Sequence, residues 1–217
     1  MSTQTKTIAI YATETMADWE YAYLTAEVTR AEQLRPGRFQ AVFVGDGTAP
    51  VRSLGGLTIT PTVDLDELAE MPGLAALVIP GADTYGPDTG ASPHEQLLAI
   101  LPRLLDAGTP VAAICGATLL LARGGFLDDR RHTSNAKIVL EMSGYAGAEH
   151  YVEAPVVTDR GITTGSGVHP VEFTAEIFRL TGLVPDEITT PWEQLYLTGR
   201  PEAFYALMAA QGAFANS

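Results

Sequence analysis

The chain has 217 residues, of which 46% are apolar, enough for one large domain or two small ones. Thirteen Lys and Arg against 26 Asp and Glu leave a net charge of −13, which excludes the basic surface that nucleic acids and anionic membranes select. One cysteine rules out an internal disulfide, and no apolar run reaches the roughly 18 residues of a membrane span.

Taken in order, "TIAIYA" (7–12) reads as a short buried strand. Residues 16–34 carry Trp19, Tyr21, Tyr23, Leu24 and Val28 near helical spacing and stop before "RPGR", so one helix is expected there. "FQAVFVG" (39–45) is a second strand, and "SLGGLTITPT" (53–62) a hairpin turning on Gly55 and Gly56. "LAALVIPG" (74–81) is another strand, closed by Pro80 and Gly81. A helix over 92–107 has Ser92 as N-cap and Pro93 at its first position, which puts His94 at the surface. "PVAAIC" (110–115) is a strand and 116–123 a helix; through 124–142 the pattern blurs.

Two short strands around Asp159–Gly161 then lead to a helix over 169–183 with Pro170 near its start. From Glu187 onward come two shorter helices, anchored by Tyr196, Leu197, Phe204, Leu207 and Met208, with Trp192 and the late aromatics holding them down. Strands alternating with helices imply a mostly parallel sheet with helices on both faces. Without a linker or repeat, the chain reads as one doubly wound α/β domain over 1–217, with its core at about 5–183 and helices at about 187–213. The first 20 residues show no signal-peptide pattern, so a cytoplasmic protein is expected.

Ligands of such sheets collect at the C-terminal ends of strands. Three of those ends stand out: the loop after Ala12, "PGAD" (80–83), and Cys115. A small-residue strand leading into Cys-Gly-Ala at a helix start has the logic of a nucleophile elbow, with Gly116 relieving crowding beside the thiol. Unpaired N–H groups and the helix dipole at that corner favour the thiolate and suit an oxyanion. The competing reading is a small buried hydrophobe.

The segments "ADWEYAYL" (17–24), "LVIPGAD" (77–83), "AAICGATLLLARGGFLDDRRHTSN" (112–135) and "GITTGSGVHPVEF" (161–173) together resemble the ThiJ/PfpI superfamily. The resemblance implies a flavodoxin-like, class I glutamine amidotransferase-like fold and a homodimer. It also implies a catalytic Cys115 supported by the carboxyl of Glu20, with backbone N–H groups of Gly81, Ala82 and Gly116 as the oxyanion hole. Ala82 stands where the family has a second glycine, so a positive φ there would be strained. His132 or Asn135 is the side chain expected to return to the sulfur, Trp19 to wall the pocket, and Asp18 to be a cap or surface charge.

The PfpI proteases carry histidine directly after the cysteine; Gly116 stands there, so the protease arrangement lacks its base. His169 and Glu172 resemble the late pair of the true amidotransferases in order and spacing. The leading expectation is a cysteine-dependent enzyme of small electrophiles, by amide-type hydrolysis or by hydration of reactive aldehydes. A non-catalytic redox protein with an oxidisable thiol, and an amidotransferase-like subunit, are the alternatives. Four scattered histidines give no metal-ligand spacing, and "GSG" (165–167) is only part of a dinucleotide fingerprint, so neither metal nor cofactor is expected.

Overall fold

The computed structural model describes residues 4–86 and 94–216. Its strands are β1 (Lys6–Tyr11), β2 (Phe39–Gly45), β3 (Val51–Arg52), β4 (Thr58–Ile59), β5 (Val63–Asp64), β6 (Leu74–Ile79), β7 (Val111–Ile114), β8 (Val156–Asp159) and β9 (Ile162–Gly165). Seven of them form one sheet in the order β5-β2-β1-β6-β7-β9-β8, parallel throughout except where β8 returns antiparallel along β9. The remaining two, β3 and β4, pair as the expected hairpin.

Strand period explains the two layers. In β1, Ile8 and Ile10 point into one apolar cluster while Ala9 and Tyr11 point into the other. The first cluster is roofed by α1 (Ala22–Leu34), α6 (Pro170–Thr181), α7 (Asp186–Thr198) and α8 (Pro201–Ala215), through Leu24, Phe173, Phe178, Trp192 and Leu207. The second is roofed mainly by α3 (Glu95–Asp106) and α4 (Gly116–Arg123), with α2 (Leu65–Leu68) and α5 (Lys137–Glu141) at its margins. The central strands β1, β6 and β7 are therefore apolar on both sides, which is why they read as unbroken runs.

Three details depart from the sequence reading. Residues 16–34 are not one helix: a 3-10 turn at Asp18–Glu20 precedes α1, because Ala17 is extended (φ −76°, ψ 117°). Of the late anchors only Leu207 is buried; Tyr196, Leu197, Phe204 and Met208 are exposed, while Trp192, as expected, holds the C-terminal helices down with Ile188. His94 is buried rather than exposed, because Nδ1 meets the Tyr11 hydroxyl at 2.9 Å and Nε2 meets Thr84 Oγ1 at 3.1 Å. Ser92 and Pro93 lie outside the described residues. No helix among the described residues is long and apolar enough to cross a membrane.

Candidate active site

The sheet order places the ends of β1, β6, β7 and β9 side by side, and the loops leaving them meet at Cys115. Here β7 turns into α4 within one residue. Cys115 has φ 59° and ψ −125°, a region that residues with a Cβ rarely occupy and that costs about 1–3 kcal/mol. The surroundings hold it there. Its N–H donates to the Gly165 carbonyl at 2.9 Å, and its own carbonyl accepts from the Thr118 N–H at 3.1 Å and the Thr118 hydroxyl at 2.6 Å. Thr118, fully buried and also bonded to Ser134 Oγ at 2.8 Å, was not singled out from sequence. Its one signal is a hydroxyl inside the otherwise apolar run 117–122 of α4.

Glu20 reaches the same point from the 3-10 turn and is 1% exposed. Oε2 accepts the Gly81 N–H at 2.6 Å, while Oε1 has no N–H or O–H donor and faces the sulfur, leaving the thiol proton to satisfy it. Two glycines make room for this pair. A Cβ on Gly81 would stand 2.8 Å from Cys115 Cβ and 2.9 Å from Glu20 Oε2. One on Gly167 would stand 2.7 Å from Cys115 Sγ and 2.9 Å from Glu20 Oε1. The "GSG" stretch thus serves close approach to the thiol–carboxyl pair.

Electrostatics overturn the expectation of an acidic thiol. Burial first, then the Glu20 charge, push Cys115 up to about 11, outweighing the Asn135 amide and the Gly116 N–H, which act in the opposite direction. Burial also raises Glu20, against the stabilising Gly81 N–H. Two anions in so dry a space repel, so the pair keeps one proton between them over a broad pH range. The thiolate forms when that proton sits on Glu20.

Asn135, rather than His132, returns to the sulfur. Its Nδ2 lies 3.2 Å from Sγ, and its Oδ1 accepts the Gly167 N–H at 2.8 Å, which fixes which end of the amide faces the thiol. Both ring nitrogens of His132 are engaged elsewhere, Nδ1 with the Arg130 carbonyl at 2.7 Å and Nε2 with the Tyr145 hydroxyl at 2.9 Å. A bridge from His132 to Tyr151 directs this buried ring into the protein instead of the site. His169 pairs with Glu172 at 2.9 Å at the start of α6, and among the described residues no hydrogen bond joins it to Cys115. Trp19 does wall the pocket, with Nε1 donating to the Gly167 carbonyl at 3.2 Å.

Of the three expected oxyanion donors, Gly81 is withdrawn, because its N–H is spent on Glu20. Ala82 and Gly116 remain on the wall beside the sulfur. Ala82 is extended (φ −154°), so the alanine brings no strain. Its N–H has no protein acceptor among the described residues.

Around Cys115 opens a cavity of about 290 Å³ whose rim includes Thr15, Trp19, Leu54 and Asp83. Leu54 comes from the β3–β4 turn, which Asp18 pins in place. Asp18 Oδ2 accepts the Gly55 N–H at 2.6 Å and Oδ1 accepts the Tyr21 hydroxyl at 3.1 Å. Partial desolvation pushes the Asp18 carboxyl up, but the bonds from Ser53, Gly55 and Tyr21 prevail and hold it below the usual range. Asp18 is thus a clamp on the rim rather than a free surface charge.

Comparison with known proteins agrees with this architecture. The DJ-1/PfpI family model matches residues 6–180. "Uncharacterized protease YoaZ" of Bacillus subtilis (strain 168) is 35% identical over 209 residues, covering 94% of this chain and 97% of the relative. "Deglycase TK1284" of Thermococcus kodakarensis is 32% identical over 109 residues, 48% of this chain and 59% of the relative. Among solved structures, a thiJ/pfpI family protein from Bacillus anthracis superposes with a TM-score of 0.83 at 34% identity, over 97% of this chain and 99% of that one. Shared fold and a family match over most of its length agree: the chain belongs to the DJ-1/PfpI family.

Proposed function

We propose that this protein is a cysteine-dependent enzyme that hydrolyses small carbonyl-type electrophiles at Cys115. The observation that carries the reading is the buried Glu20 carboxyl, with one oxygen held by Gly81 and the other unpaired beside the sulfur of a strained elbow. A carboxylate buried at such cost, beside a group whose proton it can take, has the features of a general base.

In this mechanism the Cys115 proton moves to Glu20 as the sulfur attacks the carbonyl carbon. A C–S bond forms, and the carbonyl electrons settle on oxygen next to the N–H groups of Ala82 and Gly116. Collapse expels the leaving group, which takes the proton from Glu20 and leaves a thioester. Water then adds to the thioester carbon, gives a proton to Glu20, and the sulfur departs and recovers that proton. Asn135 steadies the sulfur through each half-reaction. At about 290 Å³ the cavity lies at the small end of ligand pockets, which favours a small molecule over a polypeptide. The names protease and deglycase carried by relatives support a hydrolytic reading.

The test is turnover of a panel of p-nitrophenyl esters and small primary amides by the wild type, Cys115→Ser and Glu20→Gln. Cys115→Ser should lose all turnover, and Glu20→Gln should lower it by about 10²–10⁴. Turnover that persists without the thiol would remove the reading. Stoichiometric peroxide oxidation without turnover would favour the redox alternative.

A further inference from the structure

The cavity wall is polarised in a way the chemistry of Cys115 does not require. Among the described residues Asp83 is its only charged lining residue, and no Lys, Arg or His lines it. The backbone of Asp83 is fixed, because its N–H donates to Thr15 Oγ1 at 2.9 Å, and Thr15 is itself set at a positive φ of 61°. The Asp83 carboxylate has no ion-pair partner among the described residues. Behind the sulfur lies the shared-proton pair, which carries a further negative charge whenever one proton is present. The lining also includes Trp19 and Leu54, each 48% exposed, which offer apolar surface with no charge of their own.

Resting on the reading of Cys115 as a nucleophile, we infer that Asp83 makes the site selective by charge. Its substrates are neutral or cationic electrophiles with an apolar flank against Trp19 and Leu54, and carboxylate- or phosphate-bearing ones are turned away. An anion entering this mouth meets Asp83 and then the Cys115–Glu20 pair, with no cation to neutralise it. Asp83 is exposed at the mouth, so solvent screens its repulsion, whereas Glu20 behind the sulfur is buried, and like charges brought together there repel far more than in open water. A neutral carbonyl compound meets no such penalty, and a cationic one gains from the same field. Asp83 is here a specificity residue: it touches the incoming molecule but moves no proton.

Two alkylating reagents of nearly equal size and opposite suitability test this directly, because each reports on the same single thiol. Iodoacetamide is neutral and iodoacetate anionic. With either one the sulfur displaces iodide, a C–S bond replaces the C–I bond, and the thiol proton passes to Glu20 or to water. The measurement is the ratio of the two rate constants at Cys115, divided by the same ratio for N-acetylcysteine under identical conditions. A normalised preference for iodoacetamide of about tenfold or more is expected, the factor that about 1.4 kcal/mol represents. Asp83→Asn should raise the iodoacetate rate several-fold more than the iodoacetamide rate. Added salt should narrow the wild-type preference, as screening requires.

A normalised ratio near one, or a ratio that Asp83→Asn leaves unchanged, overturns the inference while Cys115 stands as a reactive nucleophile. If neither reagent modifies Cys115 in protein shown to be folded by circular dichroism, the nucleophile itself is lost, and charge selectivity falls with it.

Discussion

At Cys115 and Glu20 the physics of single residues decides the chemistry. The sequence points to both, the thiol through the local pattern of a nucleophile elbow and the carboxyl through family resemblance, but it misjudges the direction in which the thiol titrates. That direction depends on dryness and on the charge of Glu20, far away in the chain, and neither leaves a local mark. Glu20→Gln removes the charge and keeps the shape, so the thiol should titrate below about 11, read as the midpoint of alkylation rate against pH. The same change should stabilise the fold. Burial raises the Glu20 carboxyl above its unfolded value, so its stabilising contribution is complete only at low pH and is lost as pH rises through the folded value. Near pH 8 the neutral amide escapes that loss, and a gain of about 1 kcal/mol in urea unfolding is expected alongside the loss of turnover. The strain at φ 59° gives a second expectation: Cys115→Gly should be more stable than Cys115→Ala by about 1 kcal/mol, since only glycine tolerates that backbone without cost.

Among the elements, the strands were the most legible and the helical ends the least. Parallel strands covered on both faces must be apolar throughout, and "TIAIYA", "LAALVIPG" and "PVAAIC" announce themselves by that rule. The 124–142 stretch has no such periodicity; its course is set by the His132–Tyr151 bridge, a tertiary contact. This is why the sequence could not choose between His132 and Asn135. In α8 the apolar residues lie all around the helix, so periodicity could not say which face was inside, and most of the expected anchors proved to be exposed. The docking of α7 onto α6 rests on Trp192, as the sequence leads one to expect: it is fully buried and packed on the Phe178 ring at 4.9 Å between centroids. Trp192→Ala should cost about 3–5 kcal/mol, measured by urea unfolding, with little change in alkylation of Cys115 in the protein that remains folded.

Across the whole molecule, the doubly wound arrangement was readable from the alternation of strands and helices, whereas the rim of the cavity was not. Leu54, Asp18 and Asp83 lie in three separate loops, and only the sheet order brings them to one mouth. The site draws its contacts from residues as distant as Thr15 and Gly167, so it is absent until nearly the entire domain has been synthesised and has folded. In the unfinished chain Cys115 is an ordinary solvated thiol, more acidic than in the native protein, where burial and Glu20 raise it to about 11. Folding gathers around that sulfur a buried carboxyl, an amide and two glycines that leave it room, none of which the unfinished chain holds beside it. The newborn chain therefore carries the thiol long before it carries the chemistry, which arrives only when β9 is seated beside β7.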